Sequence, residues 1–179
     1  MSNTKIAILR GINVGGKRKI LMSDLRSMCE DVGLKKVKTY IQSGNLIFTP
    51  ERQNSDLEAV LEQSIQKTFG FEVPVIARTV GDILSLQNNN PFLAEGTDIS
   101  QLHLTFLKKK PSAEDRYKIQ ATSLEKDKFK IDGKEIFIFC SGKYHQSKLT
   151  NNFFEKKLKS AATTRNWKTV LKLIELSKE

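Results

Sequence analysis

Cysteine is scarce in this chain: Cys29 and Cys140 are the only two in 179 residues. Two thiols so far apart exclude a disulfide scaffold and a four-thiolate zinc site, and both read as reduced thiols in a cytoplasm. Histidine is equally rare, with His103 in a strand-like stretch and His145 in a polar one. Neither fits the spacing of a metal pair, so no metal is expected, and no motif points to a cofactor. No apolar run approaches the roughly 18 residues of a membrane span. The opening MSNTKIAILR lacks the charged, apolar, small-residue order of a secretory signal. A cytoplasmic chain with no membrane partner is the expectation; nothing bears on oligomeric state. Acidic residues are also short, 20 against 30 Lys and Arg. The remaining composition, 39% hydrophobic and 28% charged with mean hydropathy −0.39, is that of an ordinary globular chain. Its length suits one domain or two small ones.

The excess of +10 is unevenly placed. Residues 1–50 carry net +6, residues 51–100 net −5 and residues 101–179 net +9. Such a field attracts polyanions, nucleotides or phosphorylated ligands. A solubilising lysine-rich surface gives the same arithmetic.

Hydrophobic periodicity organises the chain. Lys5 to Arg10 reads as a buried strand, followed by a glycine-rich basic loop over Gly11 to Lys19. Ser23 is placed to cap a helix carrying Leu25, Met28, Cys29 and Val32, with Gly33 as its stop. Val37 to Gln42 and Leu46 to Thr49 are strands around a Ser43-Gly44 turn. Ser55 and Glu58 form a capping box before a helix with Leu57, Val60, Leu61, Ile65 and Phe69. Val73 to Arg78 is a strand interrupted by Pro74, which implies an edge position or a start at Val75, and a short helix follows around Val80 to Gln87. Strand, helix, strand, strand, helix, strand is the split βαβ order of a ferredoxin-like fold.

The polar stretch 89–101 reads as a connector, after which the plan restarts. Leu102 to Leu107 is a strand, and Ser112 with Asp115 caps a helix showing Tyr117, Ala121 and Leu124. Strands Phe129 to Ile131 and Glu135 to Cys140 flank Asp132-Gly133, and helices follow at Asn152 to Ala161 and Trp167 to Leu176. No fourth strand is visible here, only an extra helix. The expectation is an α+β fold. Two ferredoxin-like subdomains with antiparallel sheets, residues 1–88 and 102–179, would pack as one compact unit. Phe137 and Phe139 on one face and Ile136 and Ile138 on the other make a strand that needs cover on both sides.

Four polar stretches are candidates for chemistry. The first, Arg10-Gly11-Ile12-Asn13-Val14-Gly15-Gly16-Lys17, spells a phosphate-loop pattern without its final Ser or Thr, since Arg18 stands there. A phosphate loop also needs a helix starting at the lysine, and Lys19-Ile20-Leu21-Met22 intervene. What survives is an anion-binding loop of glycine amides beside cations. The second stretch is Gln42-Ser43-Gly44-Asn45. The third runs from Ser141 to Asn151 and includes Ser147 and Lys148. The fourth, Thr163-Thr164-Arg165-Asn166-Trp167, leads into the last helix, which Trp167 anchors. Arg165 beside a helix N-terminus is disfavoured by the dipole unless it meets a carboxylate or an anion. No general base or nucleophile is evident, so whether the chain is an enzyme stays open.

These stretches resemble the bacterial domain of unknown function 1697 family. The resemblance rests on AILRGINVGGKRKILMSDLR, KTYIQSGNLIF, FGFEVPVIAR, NNPF, LHLTFL, SKLTNNFFEKKL and ATTRNW. It implies two ferredoxin-like subdomains and no particular activity. The expected ligand contacts are Arg10, Gly11, Asn13, Gly15, Gly16, Lys17, Gln42, Ser43, Asn45, Ser147, Lys148, Thr164, Arg165 and Asn166. They would face a cleft between subdomains that holds a small phosphate-bearing anion. The alternative is a nucleic-acid-binding module without catalysis, for which the first strand lacks the usual aromatic residues.

Overall fold

The computed structural model describes residues 3–51 and 56–178. The chain divides into two units, Met1–Ser85 with Lys172–Glu179, and Leu86–Leu171. Each is built around a four-stranded, wholly antiparallel sheet.

In the first unit β1 (Lys5–Leu9) lies between β3 (Asn45–Pro50) and β4 (Val75–Thr79), with β2 (Leu34–Tyr40) outside β3. Side chains alternate along a strand. Ala7 and Leu9 therefore join the core under helices α1 (Met22–Asp31) and α2 (Leu57–Phe69), with Leu25, Cys29, Leu61 and Ile65. Ile6 and Ile8 point to the other face and are equally buried. Gly70, at φ 81°, ends α2 in the left-handed conformation that glycine adopts most readily. The edge strand β2 carries exposed Lys35, Lys36 and Lys38 and an irregular register between Lys35 and Lys38. Charge and a bulge together discourage pairing with another sheet edge.

The second unit repeats the plan. β5 (Leu102–Leu107) lies between β7 (Glu135–Phe139) and β8 (Ala162–Asn166), with β6 (Lys128–Asp132) outside β7. Helices α4 (Ala113–Gln120) and α5 (Asn151–Leu158) cover one face, where Ile119, Ile136, Ile138, Phe154 and Leu158 form the core. Ser112 caps α4 by accepting from the Asp115 amide at 3.0 Å, and Thr150 caps α5 through the Phe153 amide. His103 stacks on Tyr144, with ring centroids 4.5 Å apart.

The two units share a device at their last strand. Glu58 and Glu62 of α2 accept hydrogen bonds from the Ala77 and Val75 amides of β4. Glu155 of α5 accepts from the Ala162 amide of β8 in the same way. Each strand then carries a buried arginine at its fourth position, Arg78 or Arg165, and runs directly into a helix. For α3 (Val80–Asn89), Thr79 and Asp82 form a reciprocal capping box. For α6 (Trp167–Ser177), Asn166 accepts from the Thr169 amide.

The structure corrects several expectations. Residues 162–166 form a fourth strand, so the second half is a full repeat and Arg165 is a buried strand residue. Periodicity missed it because Thr163, Thr164 and Arg165 are polar, yet they lie in the sheet. Helix α1 starts at Met22 with Leu21 at its N-cap and no side-chain cap. Ser23 sits inside the first turn, where its hydroxyl donates to Asp24. Tyr117 is 78% exposed rather than packed, and α4 ends before Ala121 and Leu124. Helix α5 stops at Leu158, short of Ala161. The Ser43-Gly44 turn is longer than two residues: four, Ile41 to Gly44, join β2 to β3. The Ser55 half of the predicted capping box lies outside the described residues.

Trp167 is fully buried, its ring centroid 6.3 Å from that of Phe137. Trp167→Ala is expected to lower the unfolding free energy by about 3–5 kcal/mol, read from urea denaturation. His103 supplies a pH test. Burial holds its imidazole pKa below the ordinary value, against a smaller opposing contribution from the Gln101 backbone. The unfolded state then binds the extra proton more readily, so stability rises with pH. The contribution of neutral His103 is present above about pH 6.5 and declines as pH falls through its lower folded value. Urea midpoints at pH 7.5 and 5.5 should show a drop that His103→Gln reduces.

Candidate functional site

The glycine-rich loop of the first unit is a small hairpin. The Lys17 amide donates to the Val14 carbonyl at 3.1 Å, and that of Asn13 to the Arg18 carbonyl at 3.1 Å. Gly15 and Gly16 occupy the turn at φ 59° and 73°, and a type I′ turn requires positive φ at both central residues. The loop is thus an ordered projection carrying Lys17, Arg18 and Lys19, all exposed.

Asn13 fastens this hairpin to the rest of the unit. Its Nδ2 donates to the Ile20 carbonyl at 3.0 Å and to the Gln42 carbonyl at 2.8 Å. Its Oδ1 accepts from the Ile20 amide at 2.9 Å. Asn13 itself is at φ 54°, a conformation that asparagine tolerates better than most residues. One side chain therefore joins the first loop, the approach to α1 and the β2–β3 turn. Gly44 completes the joint. Its carbonyl accepts from the Leu9 amide at 2.9 Å. A Cβ there would lie 2.7 Å from Ile12 Cδ1 and 2.8 Å from Leu9 Cβ, so only glycine fits.

The joint borders an open depression of about 430 Å³. Asn13, Gly16 and Gln42 line it, with Lys19, Ile20, Leu21, Asp24 and Phe69. Leu21 and Asp24 belong to the start of α1, whose first amides have no side-chain cap. Lys19 is the cation on this wall and Asp24 the carboxylate. Arg10, Gly11, Gly15 and Lys17 belong to the same loop but are not among the lining residues. Ser43 and Asn45 serve the hairpin: Asn45 is buried, and its Nδ2 donates to the Tyr40 carbonyl and to Ser43 Oγ.

In the second unit the third and fourth stretches also meet. Thr164 Oγ1 lies 2.7 Å from both Asn151 Oδ1 and Thr105 Oγ1. Arg165 Nη1 donates to Thr163 Oγ1 and the Thr164 carbonyl, and Asn166 caps α6. Ser147 and Lys148 line a separate pocket of about 260 Å³ with Lys126, Lys143, Glu125 and Asp127. Burial opposes ionisation of Asp127. Hydrogen bonds from Ser147 Oγ and from the Ser141 amide and hydroxyl outweigh it and hold the carboxyl below its usual range. That pocket therefore contains a fixed negative charge at Asp127 beside its three lysines.

Neither thiol is poised for reaction. Burial, with the neighbouring Glu30 charge, pushes Cys29 up to about 12. Burial also raises Cys140, against a hydrogen bond with Ser147.

The residues that sequence reasoning missed at the depression are Ile20, Leu21, Asp24 and Phe69. Ser23, the nearest residue with capping chemistry, places the start of α1 two residues too late and obscures Leu21 and Asp24, while Ile20 and Phe69 read as ordinary core or helix residues.

A protein-family model described as "Protein of unknown function (DUF1697)" matches residues 2–137. Among solved structures, the conserved bacterial protein SP0830 from Streptococcus pneumoniae is similar over 100% of both chains, with a TM-score of 0.79 and 24% identity. At that identity the likeness shows the fold alone. No curated protein matches the chain.

The joint at Asn13 can be tested by removal. Asn13→Gly keeps the positive φ and deletes three hydrogen bonds. It should destabilise the protein by about 1–3 kcal/mol. Amide exchange at Ile20 should accelerate far more than exchange in β1; equal protection at Ile20 in both proteins would mean that the joint is not held by Asn13.

Proposed function

The chain belongs to the DUF1697 family of proteins of unknown function, and from that premise we propose that it binds a small phosphate-bearing anion at the depression beside α1. The observation that carries this reading is the start of α1. Its amides lack a side-chain cap, the N-terminal end of the helix dipole is positive, and Lys19 stands on the same wall. Lys17 and Arg18 add positive potential from the adjoining hairpin. Asp24 in the first turn opposes an incoming anion and sets its affinity.

The reading includes no reaction. Among the residues lining the depression, Asp24 is the only titratable group besides Lys19, and the hydroxyl bonded to Asp24, that of Ser23, is not part of the lining. The alternative, a nucleic-acid-binding module, draws on the same positive charge. Ferredoxin-like RNA binders stack bases on an open sheet face. Here the central strands β1 and β5 are buried on both faces from Ile6 to Leu9 and from Leu102 to Leu107. The sheets offer no such platform, which favours the small anion.

Inorganic phosphate at tenfold excess over its dissociation constant should stabilise the protein by about 1.4 kcal/mol. For a chain of this size that raises Tm by roughly 3–5 °C. Lys19→Met should reduce the shift. Asp24→Asn should lower the starting Tm slightly, because it removes a favourable charge at the helix N-terminus, yet enlarge the shift with phosphate. The reading fails if phosphate gives no shift at tens of millimolar, or if Lys19→Met leaves the shift unchanged.

A further inference from the structure

Taking the anion site as its basis, we infer that the ligand carries an apolar body on its phosphate, as an alkyl or aryl phosphate monoester does. The depression is large for a lone ion. Its volume of about 430 Å³ falls in the range of pockets that hold whole small molecules, roughly 300–1,000 Å³. Part of its lining is apolar. Ile20 is buried, and Phe69 is half-buried with its ring stacked near Phe71. Leu21 lines the wall and is 67% exposed.

The segments tied together by Asn13 also carry apolar groups that the fold leaves in water. Among the described residues, the exposed large hydrophobics of the first unit are Val14 at 65%, Leu21 at 67% and Ile41 at 47%. Each is the chain neighbour of a residue in the Asn13 joint: Val14 follows Asn13, Leu21 follows Ile20 and Ile41 precedes Gln42. Of the three, Leu21 lines the depression. Ile41 is moreover held at φ 53°, where a β-branched residue is strained. A bare phosphate uses none of these groups. A sugar or a base would need several donors and acceptors; both Asn13 amide hydrogens are committed to Ile20 and Gln42, which leaves Gln42 and Asp24 as the polar side chains on the lining besides Lys19. An apolar body fits what remains: it covers Leu21 and Phe69 while the phosphate lies towards Lys19 and the first turn of α1.

The chemistry is shared by soluble monoesters and by phosphatidate headgroups, and the test separates them. Methyl, hexyl and phenyl phosphate are titrated into the full chain by calorimetry, and pelleting with phosphatidate vesicles is measured in parallel. Hexyl and phenyl phosphate should bind at least tenfold more tightly than methyl phosphate. Leu21→Ala, which adds no capping oxygen at the start of α1, and Phe69→Ser should each reduce that ratio severalfold. Leu21 is a surface residue, so its variant keeps the test interpretable if Phe69→Ser unfolds. Vesicle pelleting that Leu21→Ala weakens assigns the lipid source, and tenfold discrimination without pelleting assigns a soluble ester. Equal affinity for all three esters, with phosphate binding intact, overturns the apolar body and leaves the anion site standing. Failure of every phosphate to bind overturns both.

Discussion

Neither face of β1 nor of β5 is open to water, and the rest of each unit follows from that constraint. A central strand dry on both sides must be apolar at consecutive positions, as Ile6 to Leu9 and Leu102 to Leu107 largely are. It must also have every backbone group paired, because an unpaired buried amide costs about 1–3 kcal/mol. Antiparallel neighbours on each side meet that demand, β3 and β4 for β1, β7 and β8 for β5. Helices then cover one face of each sheet, and their amphipathic stripes are the consequence.

The outer strands solve the same backbone problem with side chains. β4 and β8 have a neighbour on one side only, so their remaining amides need partners. Glu58, Glu62 and Glu155 provide them from the covering helices, which also fixes the angle at which those helices approach. Thr79 and Asn166 then begin a new helix without an intervening loop. A carboxylate on the helix, an arginine in the strand and a cap at its end recur in both units. The recurrence is of chemical roles, with different residues in different halves, and for that reason it is invisible to a search for repeated letters.

This explains what was legible in the sequence and what was not. Strands and helices that bury an apolar stripe could be read directly, as with β1, β5, α2 and the Leu25-Met28-Cys29 face of α1. Residues 162–166 could not, because Thr164 is held through Thr105 and Asn151 and Arg165 through Thr163 and a carbonyl. Hydrogen bonds, not hydrophobic alternation, define that strand. The start of α1 was misplaced for a related reason. Ser23 is the residue there with capping chemistry, whereas the helix begins at Met22 without a side-chain cap. Of the candidate site, the first loop and the Gln42 turn were recognised as polar motifs. Their juxtaposition depends on one asparagine amide, and no spacing rule encodes that. The apolar contributors Ile20, Leu21 and Phe69 looked like ordinary core or helix residues.

The Asn13 joint also changes how the glycine-rich loop should be understood. Glycines in a basic loop suggest a flexible tether, for which exposed valine, leucine and isoleucine would be an uncompensated liability. The observed loop is the opposite case. Its turn is closed by two backbone hydrogen bonds, its base is tied to Ile20 and Gln42, and Gly44 lets Leu9 and Ile12 approach the neighbouring turn to within a distance no Cβ would permit. Holding Asn13, Arg18 and Ile41 at positive φ opposes folding by an amount of order 1–3 kcal/mol each, less for asparagine. Strain of this kind persists only where the surroundings over-determine the backbone. Here what they fix is the backbone that borders the depression at the start of α1. A loop with a merely connecting role would have no reason to retain that arrangement, so the rigidity of the segment and its exposed apolar groups have a common explanation in a preformed surface.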